Sequence, residues 1–257
     1  DGTLTATGVG TVGTLAGAGD VVNSAGSQAF LDKNYGVGNK TVRASGVTIQ
    51  DALAADMSGN YTITYTDNTA STINPYAVNV TGSRAYDGTV DMAAGSLTMG
   101  TLVGTETLAL SGIGAVADKN VGTAKSVTLG TLALGNGTGL ASNYAFTGGT
   151  QTADITQAGL VLSTSNVTKT YDGGFTAAGT AVVTGGTLFT SAGDALSGGT
   201  FAFTDKNFGL GNKTVTTTGV TVGDGVNNGN YNVSYADNTT STINPYAVNV
   251  TGSRAYD

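Results

Sequence analysis

Few side chains in this 257-residue chain could do acid–base or nucleophilic chemistry. There is no His and no Cys, and Glu106 is the single glutamate, so the work would fall to Asp, Lys, Tyr and hydroxyls. Lys33, Lys119 and Lys206 each stand between an Asp and an Asn in a recurring Asp-Lys-Asn phrase. A buried lysine of depressed pKa beside a carboxyl catalyst could close an intramolecular isopeptide bond there. Lysine is rarely buried in full, so a turn is the leading reading of the phrase. The same phrase supplies Asp32, Asp118 and Asp205 which, with Asp67 and Asp237, are hard oxygen ligands of the kind calcium prefers. Calcium is thus the one cofactor the residues suggest, although no EF-hand or nonapeptide calcium pattern accompanies them.

Tyr86-Asp87-Gly88 recurs as Tyr171-Asp172-Gly173, and Tyr256-Asp257 begins the phrase again. Asp-Gly is a tight-turn signal: Gly takes positive φ without penalty, and Asp hydrogen-bonds its own turn. The preceding Tyr is expected to bury its ring and tie its hydroxyl to backbone, with a carbohydrate- or metal-contacting Tyr–Asp pair as the lesser alternative. An Asp pair could also serve as a glycosidase dyad. The ionisable residues, however, follow the repetition of the sequence rather than breaking it, so no catalytic residue is assigned and no enzyme is expected.

That repetition organises the whole chain. STINPYAVNVTGSRAYD at 71–87 returns unchanged at 241–257, 170 residues on, and the Tyr-Asp-Gly phrase recurs every 85. DKNYGVGNKTV from Asp32, DKNVGTAKSV from Asp118 and DKNFGLGNKTV from Asp205 keep the same order, as do GNY or SNY ending at Tyr61, Tyr144 and Tyr231. The chain therefore reads as three copies of about 85 residues, cut at an arbitrary phase from a longer parent. Expected domains are 1–74 (a first copy without its opening strand), 75–157 (a diverged copy), 158–244, and 245–257 as the first strand of a following copy.

Composition sets the elements that carry these phrases. Forty-one Gly, two Pro, 39% hydrophobic residues and abundant Thr, Ser, Ala and Val fit strands joined by Gly turns. Runs such as Tyr246–Val250, Lys213–Val222 and Tyr231–Tyr235 have strand character and end on Gly, Asn or Asp. Gln50–Met57 gathers good helix formers, yet its third-copy counterpart is Gly- and Asn-rich, so a turn or short helical excursion is expected. Pro75 and Pro245 mark extended, stiff junctions, whereas the middle junction, around Gln157 and without proline, is expected to bend more. The fold class is all-β: three tandem β-sandwich-like or β-grasp-like repeats in an elongated array, with a parallel β-helix as the alternative. A net charge of −7 with ten scattered Lys and Arg argues against nucleic acid or anionic membrane surfaces, and no apolar run is long enough for a membrane helix.

NPYAVNVTGSRAYDG, DKN-x-G-x-G-NKTV and GNY-x-x-x-Y, in one order at roughly 85-residue spacing, resemble the YDG-type and related MBG-type repeats of filamentous-haemagglutinin-like large bacterial exoproteins. The middle copy departs from the pattern in DKNVGTAKSV and in its junction. The resemblance implies an extracellular, cell-surface protein in which such modules form a stalk or fibre. Partners would be neighbouring repeats and self-association into fibres. Adhesive contact of each repeat with host or matrix glycan or protein is the alternative.

Overall fold

The computed structural model describes residues 1–256; Asp257, the last residue of the final Tyr-Asp, lies outside the described residues. The chain is all-β, with 48% strand in curled sheets, and among the described residues helical geometry is confined to four single turns of 3-10 helix. Most ladders among the described residues are antiparallel, and the parallel pairs are short. A parallel β-helix, in which every rung pairs in parallel, is therefore not the architecture. The Gln50–Met57 segment forms a turn, held by Asp51 Oδ1, which accepts from the amides of Leu53 and Ala55 at 2.9 Å each.

The third copy shows how the pattern produces the fold. In the strand Gly209–Gly223, Lys213, Val215 and Thr217 are buried, as period-2 alternation requires, and then Val220 and Val222 are buried instead. The phase slips at Gly219 (φ +64°), across from Gly198 and Gly199 (φ +67° and +107°) on the paired strand Ala195–Phe203. Only glycine adopts such backbone cheaply, and the slip lets one hairpin curl and bury both halves. Positive-φ glycines occur also at Gly26 and Gly46 in the first copy and at Gly112 and Gly130 in the middle one. Val167, Ala177, Phe203, Val215 and Ile243 form the core beneath, with Phe201 packed against it.

Two compact units are present: residues 1–81, 98–112 and 131–151, and residues 82–97, 113–130 and 152–257. In the first, a sheet runs Thr5–Ala6, Ser27–Phe30, Gly36–Ser45, Asn68–Ile73, and Val21–Ser24 pairs with Thr48–Gln50. Leu108–Ser111 pairs with Ala133–Asn136, and Tyr76–Ala77 runs parallel to Tyr144–Ala145. In the second, Thr168–Thr170 lies parallel to Asn238–Asn244, followed by Gly209–Gly223 and Ala195–Phe203. A three-stranded sheet orders Ala181–Gly186, Ala158–Thr164 and Tyr231–Tyr235, and Ile113–Val116 pairs with both Asp91–Ala93 and Gly122–Thr128.

The junctions differ from expectation. Strand Asn68–Ile73 stops before Asn74-Pro75, and extended structure resumes only at Tyr76–Ala77. At the proline-free junction, Gln151–Thr156 and Ala158–Thr164 are separated by Gln157 alone. The reason is a donor: Ala158 N donates to Asn230 O at 3.0 Å, a bond a proline could not make.

Candidate functional site: tyrosine–carboxylate joints

In the second unit the Tyr-Asp-Gly of the middle copy meets the third copy. Asp194 follows the 3-10 turn Thr190–Ala192 and Gly193 (φ +90°), which deliver its carboxylate to the interior, where the residue is 3% exposed. Tyr86 and Tyr231 both donate their hydroxyls to Asp194 Oδ2, at 2.9 and 2.6 Å. Lys119 Nζ donates to Ala192 O at 2.7 Å and lies 3.4 Å from Asp194 Oδ1. The rings of Tyr86, Phe189 and Tyr231 pack on one another at 5.3–6.4 Å between centroids, largely edge to face. Burial, reinforced by the neighbouring carboxylate, pushes both phenols well above the ordinary tyrosine range, so both remain donors.

A second contact accompanies the first. Asn230 is fully buried, its Oδ1 accepting from Val121 N at 2.9 Å and its Nδ2 donating to Asn120 Oδ1 at 3.0 Å. Asp224 frames this loop by accepting from the amides of Val226, Asn228 and Asn230. The Asp-Lys-Asn phrase of one copy thus places its lysine against the acid of the next and its asparagine against the next copy's Asn-Tyr.

The first unit repeats the arrangement one copy earlier. Tyr144 donates to Glu106 Oε2 at 2.7 Å, Lys33 Nζ lies 3.7 Å from Glu106 Oε1, and Tyr76 packs edge-on against Tyr144. Asn143 accepts from Tyr35 N at 2.8 Å and donates to Asn34 Oδ1 at 2.9 Å. Burial and the Glu106 hydrogen bond raise the Tyr144 phenol as well. Within the first copy itself, Tyr61 donates to Asp20 Oδ2 at 2.7 Å. Asp20, Glu106 and Asp194 are therefore equivalent acids, each paired with the tyrosine of GNY or SNY.

The remaining sequence-derived residues fall as follows. Asp32, Asp118 and Asp205 each accept the amide two residues on at 2.9 Å, as an Asx turn does, and each pairs with a later lysine: Lys40, Lys125 and Lys213 respectively. Lys40 and Lys213 are buried. The lysine hydrogen bond, followed by the backbone one, holds all three carboxyls below the usual range. These three calcium candidates thus each face an ammonium group and Asp67 faces the Arg43 guanidinium, and no cluster of three acidic side chains suited to a metal occurs among the described residues. Asp87 Oδ1 accepts from Thr89 N at 2.8 Å and faces Arg84, while Asp172 Oδ1 accepts from Gly174 N at 2.9 Å and from Lys169. Gly88 and Gly173 carry φ of +79° and +80°. Tyr86 is buried, its hydroxyl on a carboxylate rather than on backbone, whereas Tyr171 is 38% and Tyr256 99% exposed. Lys206 is exposed at the surface of the third copy.

Chemically, these groups satisfy one another. Asp194 spends its lone pairs on two phenols and an ammonium, an arrangement that fastens segments together. The structure thus defines a tandem-repeat β protein whose neighbouring copies meet through tyrosine–carboxylate contacts, buried at Asp194 and part-buried at Glu106. A YDG domain matches residues 69–153 and again 156–242, more than half of the chain, and the chain belongs to the YDG domain family. No curated protein and no solved structure matches it.

Proposed function

We propose that the chain is a structural spacer, a stalk- or fibre-forming segment of a secreted bacterial surface adhesin of the filamentous-haemagglutinin-like kind, with no catalytic role. In this reading the copies 1–74, 75–157 and 158–244 are small β-sandwich-like modules in line. The supporting observation is that one joint is built twice with equivalent residues: Lys33, Asn34, Glu106 and Asn143, then Lys119, Asn120, Asp194 and Asn230. A joint that recurs with counterpart residues suits a spacer, which needs successive copies linked alike, more than it suits a lone binding site.

Small-angle X-ray scattering of the full chain, with and without calcium, tests this. A compact 257-residue globule has a radius of gyration of about 18 Å. Copies in line should reach roughly 100 Å end to end, from strands of about 8–10 residues at 3.3 Å each. A globule would overturn the spacer reading, and saturable binding on a glycan array would move it to an adhesive module.

A further inference from the structure

The two compact units do not coincide with the sequence copies. A YDG match spans 69–153, yet the first unit takes 98–112 and 131–151 from it and the second takes 82–97 and 113–130. The chain passes from one unit to the other at 81/82, 97/98, 112/113, 130/131 and 151/152, all within the middle copy. The edges of that copy lie elsewhere: its start at 74–75 is inside the first unit and its end at 156–158 is inside the second.

The hydrogen bonds of the middle copy follow the same division. On the first unit's side, Leu108–Ser111 pairs with Ala133–Asn136, Val78 N donates to Ala145 O at 2.8 Å, and Val80 N donates to Thr150 O at 2.9 Å. On the second unit's side, Ile113–Val116 pairs with Asp91–Ala93 and with Gly122–Thr128, and Val116 N donates to Val90 O at 2.9 Å. Both sides hold buried side chains, Val78 and Leu132 in the first, Met92, Val116 and Ile155 in the second.

The hairpin of this copy divides at a pair of glycines. Its register shifts between Ser111↔Ala133 and Ala115↔Thr128, where Gly112 has φ +88° and Gly130 φ +52°. A Cβ on Gly112 would collide with Thr131 O, and one on Gly130 with Ile113 O, so the bend is reserved for glycine. The two joints fall on opposite sides of it. Lys33, Asn34, Glu106 and Asn143 all belong to the first unit, and Tyr86, Lys119, Asn120, Asp194 and Asn230 all belong to the second. One part of the middle copy is thus fastened to the copy before it and the other part to the copy after it. Neither part, at about 40 residues, could hold a core alone.

We propose that the cooperative unit of this protein is part of one copy together with part of the next, and that the boundary between such units runs through Gly112 and Gly130, inside a copy. Opening the chain at a joint would strip the buried Asp194 and Asn230 of their partners, a costly step. Opening it along the glycine boundary leaves both joints shut, so the repeat yields within itself and the joint survives. This holds whatever use the array serves.

Hydrogen exchange of the full chain, followed by mass spectrometry over rising urea, tests the boundary. Amides of 113–128 should lose protection together with those of 195–235, and amides of 108–111 and 133–145 together with the first copy, so that the middle copy shows two openings. Met92→Ala empties a fully buried position on the second unit's side. It should speed exchange at least about tenfold at 113–128 and around Asp194 and Asn230, and less than about twofold at 108–111 and 133–145. Val78→Ala, equally buried on the first unit's side, should do the reverse. Should either variant fail to fold, the openings of the unsubstituted chain decide. Loss of protection over 75–157 as one block, loss over the whole chain in one step, or a Met92→Ala effect spread evenly over both parts of the copy would each overturn the proposal.

Discussion

Asp194 and Glu106 occupy equivalent positions in their copies but live in different surroundings. The Asp194 side chain is 1% exposed and receives two phenols and Lys119, itself 26% exposed; the Glu106 side chain is 23% exposed and receives one phenol, with Lys33 at 3.7 Å and 50% exposed. The second phenol at Asp194 comes from Tyr86 of Tyr86-Asp87-Gly88, and the corresponding tyrosine at Glu106 would stand one residue before Asp1-Gly2, so the two joints differ by that phenol. The comparison teaches what the tyrosine of Tyr-Asp-Gly contributes: with it the carboxylate is closed off and doubly donated, and without it the carboxylate stays partly exposed. A buried carboxylate with fewer donors would not persist, because desolvation must be offset by hydrogen bonds.

The largest break in that comparison is Asp194→Ala, which strands two buried phenols and a lysine and should cost about 3–5 kcal/mol. Urea denaturation should show the lowered midpoint, with Glu106→Ala costing only about 1 kcal/mol. Next, Tyr231→Phe removes both a donor to Asp194 and the acceptor of Phe189 N. It should cost about 2 kcal/mol, against roughly 1 for Tyr144→Phe at the more open joint. Alkaline titration sharpens the contrast without mutation. The raised phenols of Tyr86 and Tyr231 contribute stability that is fully present below about pH 10, the ordinary tyrosine value, and is lost as pH rises toward their folded values. Stability followed against pH by denaturant titration should therefore fall above about pH 10, and less steeply in the Tyr231→Phe chain. Smallest is Lys33→Ala, an exposed pair whose loss should shift stability by less than about 1 kcal/mol.

Much of this architecture is legible in sequence because it is written three times. The all-β class follows from Gly-bounded runs of β-formers, and the Asx turns from Asp followed by Gly or Asn. The joint acids were not legible: Asp20, Glu106 and Asp194 precede their tyrosines by 41, 38 and 37 residues, a spacing no local rule marks. The one available signal was an acidic residue recurring at the same place in each copy. The Asp-Lys-Asn turn is legible, but its ion pair is not local: the adjacent lysines are Lys33, Lys119 and Lys206, whereas the chain returns the later Lys40, Lys125 and Lys213 to the Asp across the turn. The adjacent lysines point onward, and at Lys33 and Lys119 they reach the next copy's acid.

In the third copy the strand by which the chain enters and the strand by which it leaves are parallel neighbours, Thr168–Thr170 beside Asn238–Asn244, with Ala158–Thr164 beside Tyr231–Tyr235. Tension applied through the two ends draws such strands past each other along their length. Their hydrogen bonds are then loaded together in shear, whereas a terminal hairpin would peel open one bond at a time. Pulled end to end, this copy resists as a clamp, and its yield point is set by the number of parallel rungs rather than by the strength of any one of them.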